Sequence, residues 1–568
     1  MSISNGKKRI FISDIHMSDE ESLNPHDGLH PYGWLKPEHA EMLADFLHKK
    51  VIKDSEVKEL VILGDLFDQW VYPGQLEPPP TPEKYFQRIY DAKQNQDVIE
   101  NLKKIAKGGR LIYVPGNHDM LITKQFLEVH FPGIIYKGTD LGEGIFEEDG
   151  IVAEHGSMYC LFNAPDPYSH SPSRDSYKLP LGYFITRAVT EKVAKTGCWL
   201  KYLDVLRDAI EVIIEDIINH KSITPATLIY DSICRDSSVQ QIEMDKFDGY
   251  SGQVKVDNID SWYGYLYEEW DNHKDVHKEI PALLAIVDDM GILDFAAVSE
   301  YNHTKEKIIV IFGHTHESVI WKGPWGLSER LLKKLGKTLL EEIIKIIFSK
   351  KKLAIGVGVP IVDTIERIVE KEFIYANCGT WINPQDENLT ESQGAGIKAK
   401  PIIHRTHIEQ IDNTSGHKIE FRNLDHSQDN KSIDNNTISH VGGGNGAVIP
   451  KANKKKQWQN SHMEILWDNK IMYCIWQHKD KDGDHIRYSK GHVYKQPGDK
   501  IPGDSSVGNI FSTSHRQLEV RPDGIELKPI PECTFVETEI KDGKHYVRSM
   551  QYNEDGTTFC LGEKYIKL

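Results

Sequence analysis

The stretch IIVIFGHTHES, residues 308–318, joins an apolar run to a pair of histidines. The apolar residues 308–312 have the length of a buried strand, and Gly313 ends the run. His314 and His316 stand two positions apart, so both imidazoles would face the same side if the backbone stayed extended. The stretch therefore predicts a buried strand whose carboxyl end presents two histidines to one site.

Four apolar runs in the first 160 residues end in the same way, in a turn that carries polar side chains. Helical patterns lie between runs, for example PEHAEMLADFLHKKVIK (37–53), where Pro37 suits a first helical turn. Alternating strands and helices predict an α/β fold, in which the carboxyl ends of parallel strands meet at one edge of the sheet. The four runs with their turns are KRIFISDIH (8–16), ELVILGDLFD (59–68), LIYVPGNHD (111–119) and IVAEHG (151–156).

The polar residues at these strand ends are of the types that bind divalent metals in catalytic sites. Carboxylates and imidazoles with one amide and no thiolate suit Mn²⁺, Fe or Zn²⁺ better than Ca²⁺ or a structural zinc. One ion needs fewer ligands than this set offers, whereas two ions could share a bridging carboxylate. Each motif alone has an ordinary interpretation, such as a helix N-cap or a tight turn, but five in a fixed order favour a metal site. The candidate ligands are Asp14, His16, Asp65, Asn117, His155, His314 and His316.

The five motifs D-x-H, G-D-x-x-D, G-N-H-D, His-Gly and G-H-x-H resemble, in this order, those of the calcineurin-like metallophosphoesterase superfamily. The resemblance covers about residues 7–160 and 303–383 and implies a layered α/β/β/α sandwich. It implies two divalent ions as the only cofactors, and Mn²⁺ is expected in preference to Fe or Zn²⁺. One ion would be held by Asp14, His16 and His316, the other by Asn117, His155 and His314, and Asp65 would bridge them.

The same resemblance implies a catalytic pair, with His118 unligated beside the phosphate and Asp119 orienting it. A metal-bound hydroxide would attack phosphorus, and His118 would protonate the leaving oxygen. The lone-histidine position could be filled by His130, His155 or His170. His155 is favoured because a strand precedes it and Gly156 follows it.

The expected reaction is hydrolysis of a phosphodiester or a pyrophosphate. A nuclease, a phosphomonoesterase and a non-catalytic metal-binding scaffold remain alternatives. FISDIHMSD (11–19) and GDLFDQW (64–70) are similar to the branch of UDP-diacylglucosamine pyrophosphatases, which favours a nucleotide-linked or lipid-linked substrate. That branch often lacks the histidine of GNHD, whereas class III cyclic-nucleotide phosphodiesterases keep it but are normally much shorter.

Two segments are expected as insertions into a catalytic domain formed by residues 1–160 and 300–407. Residues 161–299 have mostly helical patterns and are expected to form a lid. Residues 320–372 contain GLSERLLKKLGKTLLEEIIKIIFSKKK (326–352), a basic amphipathic helix. Such a helix packs on its own core or contacts an anionic membrane surface.

The C-terminal third is expected to form a separate domain. Residues 408–460 are rich in Asn, Ser, Asp and Gly, which predicts a linker. Residues 461–568 show alternating patterns and Asp-Gly turns, which predict a β-rich domain. DKDGDH (480–485) is interpreted as a β-turn rather than a calcium loop, because its glycine is misplaced and no glutamate closes it.

Composition limits the class of protein and its compartment. The 568 residues are 39% hydrophobic and 27% charged, as in ordinary globular proteins. A net charge of −17 disfavours general nucleic-acid binding, which needs clustered Lys and Arg. Seven scattered cysteines without a CxxC pair indicate neither a disulfide framework nor a thiolate zinc site. With no long apolar run, a cytoplasmic protein is expected, with peripheral membrane contact through the basic helix, and the oligomeric state stays open.

Overall fold

The computed structural model of the chain describes residues 7–164 except 27 and 140–142, residues 179–197, and shorter segments between 241 and 567. The chain divides into two compact units, one formed by Met1–Pro384 with Pro531–Leu568, the other by Gln385–Ile530. The shorter described segments are 241–243, 253–263, 266, 270, 285, 292–301, 308–323, 327, 373–382, 404–410, 417–423, 430–433, 462–468, 471–480, 483–492, 515–521, 524–528, 533–541, 544–552, 556 and 558–567.

Strands and helices alternate in the first part of the chain, and strands dominate the last part. In chain order the strands are β1 (Lys8–Ile12), β2 (Val57–Leu63), β3 (Leu111–Val114), β4 (Ile135–Tyr136), β5 (Phe146–Glu148), β6 (Ile151–Ala153), β7 (Gln241–Glu243), β8 (Gln253–Lys255), β9 (Ile308–Phe312), β10 (Ser318–Lys322), β11 (Phe373–Cys378), β12 (His404–Gln410), β13 (His417–Asn423), β14 (Asn430–Ile433), β15 (His462–Asp468), β16 (Ile471–Asp480), β17 (Gly483–His492), β18 (His515–Arg521), β19 (Gly524–Lys528), β20 (Thr534–Lys541), β21 (Lys544–Tyr552) and β22 (Thr558–Lys567). The α-helices are α1 (Glu20–Leu23), α2 (Pro37–Phe46), α3 (Pro82–Asp91), α4 (Gln96–Lys107), α5 (Lys124–His130), α6 (Leu181–Thr196), α7 (Val256–Tyr263) and α8 (Asp294–Tyr301).

The first sheet of the larger unit has its strands in the order β22-β21-β20-β1-β2-β3-β4. β1 to β4 are parallel, and β20 pairs antiparallel with the other side of β1. Parallel pairing requires crossover connections, which α2, α3 with α4, and α5 supply. Both faces of these strands are covered, which explains why β2 and β3 are apolar along nearly their whole length.

The second sheet of this unit has the order β10-β11-β9-β6-β5, with β6, β9 and β11 parallel. A core of buried side chains from both sheets lies between them, where Phe11 of β1 meets Phe146 of β5 edge to face at 5.7 Å. On the other face of the first sheet, α4 buries Val98, Leu102 and Ile105. This arrangement confirms the predicted mixed α/β sandwich.

The last three strands belong to the first sheet and not to a separate C-terminal domain. Residues 461–568 were predicted as one β-rich domain, but β20 pairs with β1 in the register Lys8↔Glu539 to Phe11↔Val536. Phe535, Val536 and Val547 are buried in the larger unit. Strand periodicity marks these residues as strands, but it cannot identify a pairing partner more than 500 residues away in the chain.

The smaller unit contains an antiparallel sheet in the order β14-β13-β12-β15-β16-β17-β18-β19. Two of its strands, β13 and β14, and the last three residues of β12 fall inside the segment 408–460, which the composition predicts as a linker. Segments rich in Asn and Gly form hairpin turns as readily as linkers, so composition could not separate the two. The β-turn interpretation of DKDGDH agrees with the hairpin β16–β17, in which Asp480 pairs with Gly483.

The predicted insertions are described only in part. Residues 161–299 contribute α6, α7, most of α8 and the hairpin β7–β8, while much of the expected lid lies outside the described residues. The second insertion cannot begin at residue 320, because β10 continues to Lys322 and pairs with β11. Apart from Leu327, the basic segment 326–352 also lies outside the described residues. Among the helices that are described, none is both long and apolar enough to cross a membrane.

Candidate metal centre

The loops that follow β1, β2, β3, β6 and β9 bring the predicted ligands together. β1, β2 and β3 belong to the first sheet and β6 and β9 to the second, and the loops that follow these parallel strands meet in the larger unit. Three overlapping groups of side chains there have ligand atoms within 4.8 Å of one another. The groups are Asp14, His16 and His316; Asp65, His155 and His314; and His16, Asp65 and His118.

The first group is a compact set of one carboxylate and two imidazoles. The Nε2 atoms of His16 and His316 lie 2.9 Å apart, and His316 Nε2 lies 3.3 Å from Asp14 Oδ1. Asp14 and His16 are completely buried, whereas the side chain of His316 is 22% exposed. The group matches the ligands expected for one metal, and it opens to solvent on the side of His316.

The second group includes the amide that the sequence predicts as a ligand. Nε2 of His155 lies 2.9 Å from Asn117 Oδ1 and 3.3 Å from Asp65 Oδ2. The ring of His314 lies 5.1 Å from that of His155, centre to centre. His130, one of the alternatives to His155, packs instead against Tyr90 and Phe126. His170 lies outside the described residues.

Asp65 lies between the two groups. Its Oδ2 atom is 3.3 Å from Nε2 of His155 in one group and 3.8 Å from Nε2 of His16 in the other. Its Oδ1 atom accepts a hydrogen bond from the backbone N–H of His118 at 2.9 Å. One oxygen of Asp65 thus orients the carboxylate while the other faces both groups, the position expected of a bridging ligand.

Hydrogen bonds hold two of the imidazoles with Nε2 towards the centre. Nδ1 of His16 lies 3.0 Å from Asp68 Oδ2, and Nδ1 of His155 lies 2.7 Å from the carbonyl oxygen of Leu63. Both partners are acceptors, so Nδ1 carries a proton and Nε2 faces the centre, where its lone pair would bind a metal once any proton on Nε2 is released. Metal-binding histidines are commonly oriented in this way.

The charges of the buried carboxylates and imidazoles suit a cation site. Burial would raise the pKa of Asp65, but the imidazoles of His155 and His118 hold it well below its usual range. Burial would lower the pKa of His155, but the charge of Asp65 raises it to about 10. Buried carboxylates that keep neighbouring imidazoles in their charged form create a negative potential. The same potential favours the binding of divalent cations. The donor set therefore fits two such ions.

The backbone at the candidate ligands is left-handed and not extended. φ is 54° at Asp14, 53° at His16, 52° at Asp65, 69° at His314 and 54° at His316. The extended geometry considered for H-x-H is therefore wrong, and its two histidines reach different groups, whereas Asp14 and His16 of D-x-H reach the same one. Left-handed residues other than glycine cost about 1–3 kcal/mol each and cluster at functional sites.

The glycine of the GD motif allows the loops to approach closely. Gly64 has φ of 75°, and a Cβ atom there would lie 2.5 Å from Gly116 Cα and 2.7 Å from His155 Nδ1. A side chain at this position would push the loops after β2, β3 and β6 apart. The motif glycine is thus a packing requirement of the metal centre.

The loop after β11 supports the left-handed backbone of Asp14. The Thr380 hydroxyl and the Trp381 N–H donate to the carbonyl oxygen of Asp14, at 2.8 and 3.1 Å. Thr534, the first residue of β20, donates to the carbonyl oxygen of Cys378 at 2.8 Å and accepts from the Thr380 N–H at 3.1 Å. A C-terminal strand therefore helps to position a candidate metal ligand.

Thr534→Val should lower the free energy of unfolding by about 1–3 kcal/mol, because it leaves a buried N–H and a buried carbonyl without their partner. Chemical denaturation of the metal-free protein measures this as a shift of the transition midpoint at unchanged slope. Thr538→Val is the matched control, since Thr538 is buried on the same strand opposite Arg9. Equal midpoints for the two variants would contradict the supporting role of Thr534.

His118 lies beside both groups and is held by Asp68, not by Asp119. Nδ1 of His118 is 2.9 Å from Asp68 Oδ1, while the other oxygen of Asp68 contacts His16. The ring of His118 stacks on Trp70 with 4.5 Å between centroids. Asp68 thus connects a candidate ligand with the candidate acid through one carboxylate.

The expectation that Asp119 orients His118 is wrong. Asp119 accepts hydrogen bonds from the backbone N–H groups of Leu66 (2.8 Å) and Gly116 (2.7 Å) and from the hydroxyl of Tyr113. Burial, together with the charge of Asp65, raises its pKa to about 6. Asp119 therefore joins the loops after β2 and β3 and acts on the site through their backbone.

Sequence patterns gave no sign of the aromatic residues around the site. Trp70 comes two residues after GDLFD, a motif that already marks the metal site in the sequence. Trp34 lies in a loop with no motif, yet its indole is 4.6 Å from the ring of His16, centre to centre. Only the packing of that loop against the centre reveals it.

Comparison with protein-family models identifies the calcineurin-like phosphoesterase family over residues 7–179. No curated protein matches the chain significantly. The matched range contains the loops after β1, β2, β3 and β6, while the loop with His314 and His316 lies beyond it. The match supports the expected metallophosphoesterase superfamily for the domain at residues 7–179, and a domain of this family indicates a phosphoric ester hydrolase.

Proposed function

We propose that the chain, whose residues 7–179 belong to the calcineurin-like phosphoesterase family, hydrolyses phosphodiester or pyrophosphate bonds with the help of two divalent metal ions. The observation that carries this proposal is the position of Asp65 between two ligand groups. A carboxylate in this position could contact both ions, as a bridging ligand of a two-ion site does. We take Mn²⁺ as the preferred metal because carboxylate, imidazole and amide ligands without thiolate suit it.

The proposed ligands are those of the two groups together with the amide of Asn117. Bound ions would supply charge neutralisation of the phosphoryl oxygens and activation of water. The chain's own contribution is to hold the ligands in position: His16 through Asp68, and Asp14 through the loop after β11. Five of these ligands are buried, whereas His314 and His316 are partly exposed, so the site is open to solvent on the side of those two residues.

His118 is the proposed general acid. Its Nδ1 atom is engaged by Asp68, which leaves Nε2 to donate a proton to the leaving oxygen. Burial would lower the pKa of His118, but the charges of Asp68 and Asp65 raise it above its ordinary value on balance. A raised pKa favours the protonated imidazole, which is the form that a general acid needs.

A diester or pyrophosphate is favoured over a phosphoprotein by the form of the motifs. The chain has GDLFD and GNHD where phosphoprotein phosphatases have GDxVDRG and GNHE. We also propose that the substrate is linked to a nucleotide or a lipid.

Residues 161–299 are proposed to form a lid. In support of the lid, Tyr183 of α6 meets Trp70 edge to face at 6.0 Å, which brings this helix close to His118. We further propose a cytoplasmic location and peripheral membrane contact through residues 326–352.

An assay panel with added Mn²⁺ tests the proposal. Bis-p-nitrophenyl phosphate, p-nitrophenyl phosphate, cyclic nucleotides, UDP-sugars and single-stranded DNA cover the competing activities. We expect a diester or a nucleotide pyrophosphate to be hydrolysed fastest, EDTA to abolish activity and Mn²⁺ to restore it. Monoester hydrolysis alone would indicate a phosphomonoesterase, and DNA cleavage alone a nuclease. No activity with two ions bound would instead favour a scaffold.

A further inference from the structure

Trp34 forms part of the rim of the metal centre. It lies in the loop between α1 and α2, and its ring centroid is 4.6 Å from that of His16, 5.4 Å from that of His118 and 5.8 Å from that of His316. One indole therefore contacts both histidines of the first metal group, His16 and His316, and the proposed acid His118.

The exposure of the neighbouring side chains shows that Trp34 lies where the site opens. Trp70, the other indole at His118, is completely buried, whereas Trp34 is only partly buried. The side chain of His316 is 22% exposed and that of His118 is 9% exposed, in contrast to the fully buried Asp14 and His16. The site is therefore open to solvent at His316 and, to a smaller extent, at His118, and Trp34 contacts both of these residues.

The loop that carries Trp34 is held in place by its own contacts. The backbone N–H groups of Tyr32 and Gly33 both donate to the carbonyl oxygen of Ser22, at 2.8 and 3.0 Å. A Cβ atom at Gly33 would lie 2.5 Å from Ser18 Oγ, so the loop packs closely against the segment after β1. Tyr32 and Leu35 are buried on either side. Trp34 is thus positioned before any ligand binds, which lowers the cost of using it in recognition.

We propose that Trp34 determines specificity by stacking against a flat aromatic ring in the organic part of the phosphate ester. This inference rests on the proposed function, because it places the ester between the metal groups and His118. The organic group leaves on the side of His118, and the partly exposed indole is the large apolar surface beside it. Indole faces bind nucleobases and aryl rings through stacking, whereas an aliphatic group gains less from them. The favoured substrates are therefore esters or anhydrides that carry a nucleobase or a comparable ring.

Equilibrium binding to the Mn²⁺-loaded protein tests this inference without requiring turnover. AMP and ribose 5-phosphate share the phosphate and the sugar, so their difference in affinity reports on the base alone. We expect AMP to bind about tenfold more tightly than ribose 5-phosphate in calorimetric titrations of the unmodified protein. Trp34→Ala should reduce this ratio to about twofold or less by weakening AMP only, and Trp34→Phe should retain part of it.

Manganese content and thermal stability, measured on the same samples, separate recognition from structure. Equal binding of the two ligands by the unmodified protein, binding of neither, or an unchanged ratio in Trp34→Ala would overturn the role of Trp34. So would an equal loss of both ligands together with bound manganese, which would indicate a structural residue. A base-dependent ratio without hydrolysis of any ester would refute the proposed hydrolase but leave the stacking site standing.

Discussion

Replacing Asp65 by asparagine should reduce bound manganese from two ions per chain to one or none and lower kcat on the order of 10³-fold or more. The physical reason is that Oδ2 of Asp65 faces both ligand groups, 3.3 Å from His155 Nε2 and 3.8 Å from His16 Nε2. Asparagine can still accept the hydrogen bond from the His118 N–H, so the loop after β2 should keep its shape. The change removes a negative charge and offers either a weaker amide oxygen or a nitrogen that cannot bind a metal.

Elemental analysis after gel filtration in Mn²⁺ gives the stoichiometry, and assays on the best substrate of the panel give kcat. Asp97→Asn is the matched control, since Asp97 is exposed in the first turn of α4. The control should retain two ions and full activity. If Asp65→Asn also keeps two ions with unchanged affinity, Asp65 does not bridge them and the two groups act independently.

The site could be predicted from the sequence because its ligands follow apolar strands. Residues such as Asp14 and His314 come directly after runs that can only be buried strands, and parallel strands end at a common edge. Order along the chain and residue type were therefore enough to name the candidate ligands, while the resemblance to the superfamily divided them between two ions. The sequence could not provide the backbone conformation, since an Asp or His adopts left-handed φ only when tertiary contacts hold it there.

The roles of Asp68 and Asp119 show a second limit. Both carboxylates belong to recognised motifs, and either could have contacted His118. The choice depends on which way each loop turns: Asp119 faces the backbone N–H groups of Leu66 and Gly116, which leaves Asp68 beside the imidazole. A motif gives the order of its residues but not which backbone N–H groups of the folded loops need an acceptor. It therefore cannot show which of the two carboxylates is left to contact His118.

The third limit is the sheet to which a strand belongs. The alternation in β20 predicts a strand, and it says nothing of β1, whose edge β20 covers. The consequence reaches the metal centre, because Thr534 at the start of β20 holds the loop that supports Asp14. A domain boundary placed at residue 461 would have assigned that support to the wrong unit.

His118→Ala should retain two manganese ions and lose kcat by about 10²–10⁴-fold on an ester with a poor leaving group. The side chain touches Asp68 through Nδ1 and stacks on Trp70, so it can serve as an acid without belonging to the proposed ligands. An ester of p-nitrophenol should be less affected, because that leaving group needs little protonation. The raised pKa of His118 makes it active below that pKa, so activity should decline as pH rises through it. The variant should lack this decline.

Two measurements decide whether His118 is an acid or a ligand, since it also belongs to a group with His16 and Asp65 that could hold a metal. Manganese content that falls in His118→Ala would make it a ligand. Losses of equal size for good and poor leaving groups would mean that it positions the substrate instead of donating a proton.

His130→Ala is the control, because His130 ends α5 among Tyr90 and Phe126. This variant should change neither metal content nor kcat. Unchanged turnover of the poor leaving group in His118→Ala, with both ions present, would refute the acid role. Asp68 would then serve to orient His16 and the backbone N–H groups of Trp70 and Val71, and the leaving oxygen would have to take its proton from another group.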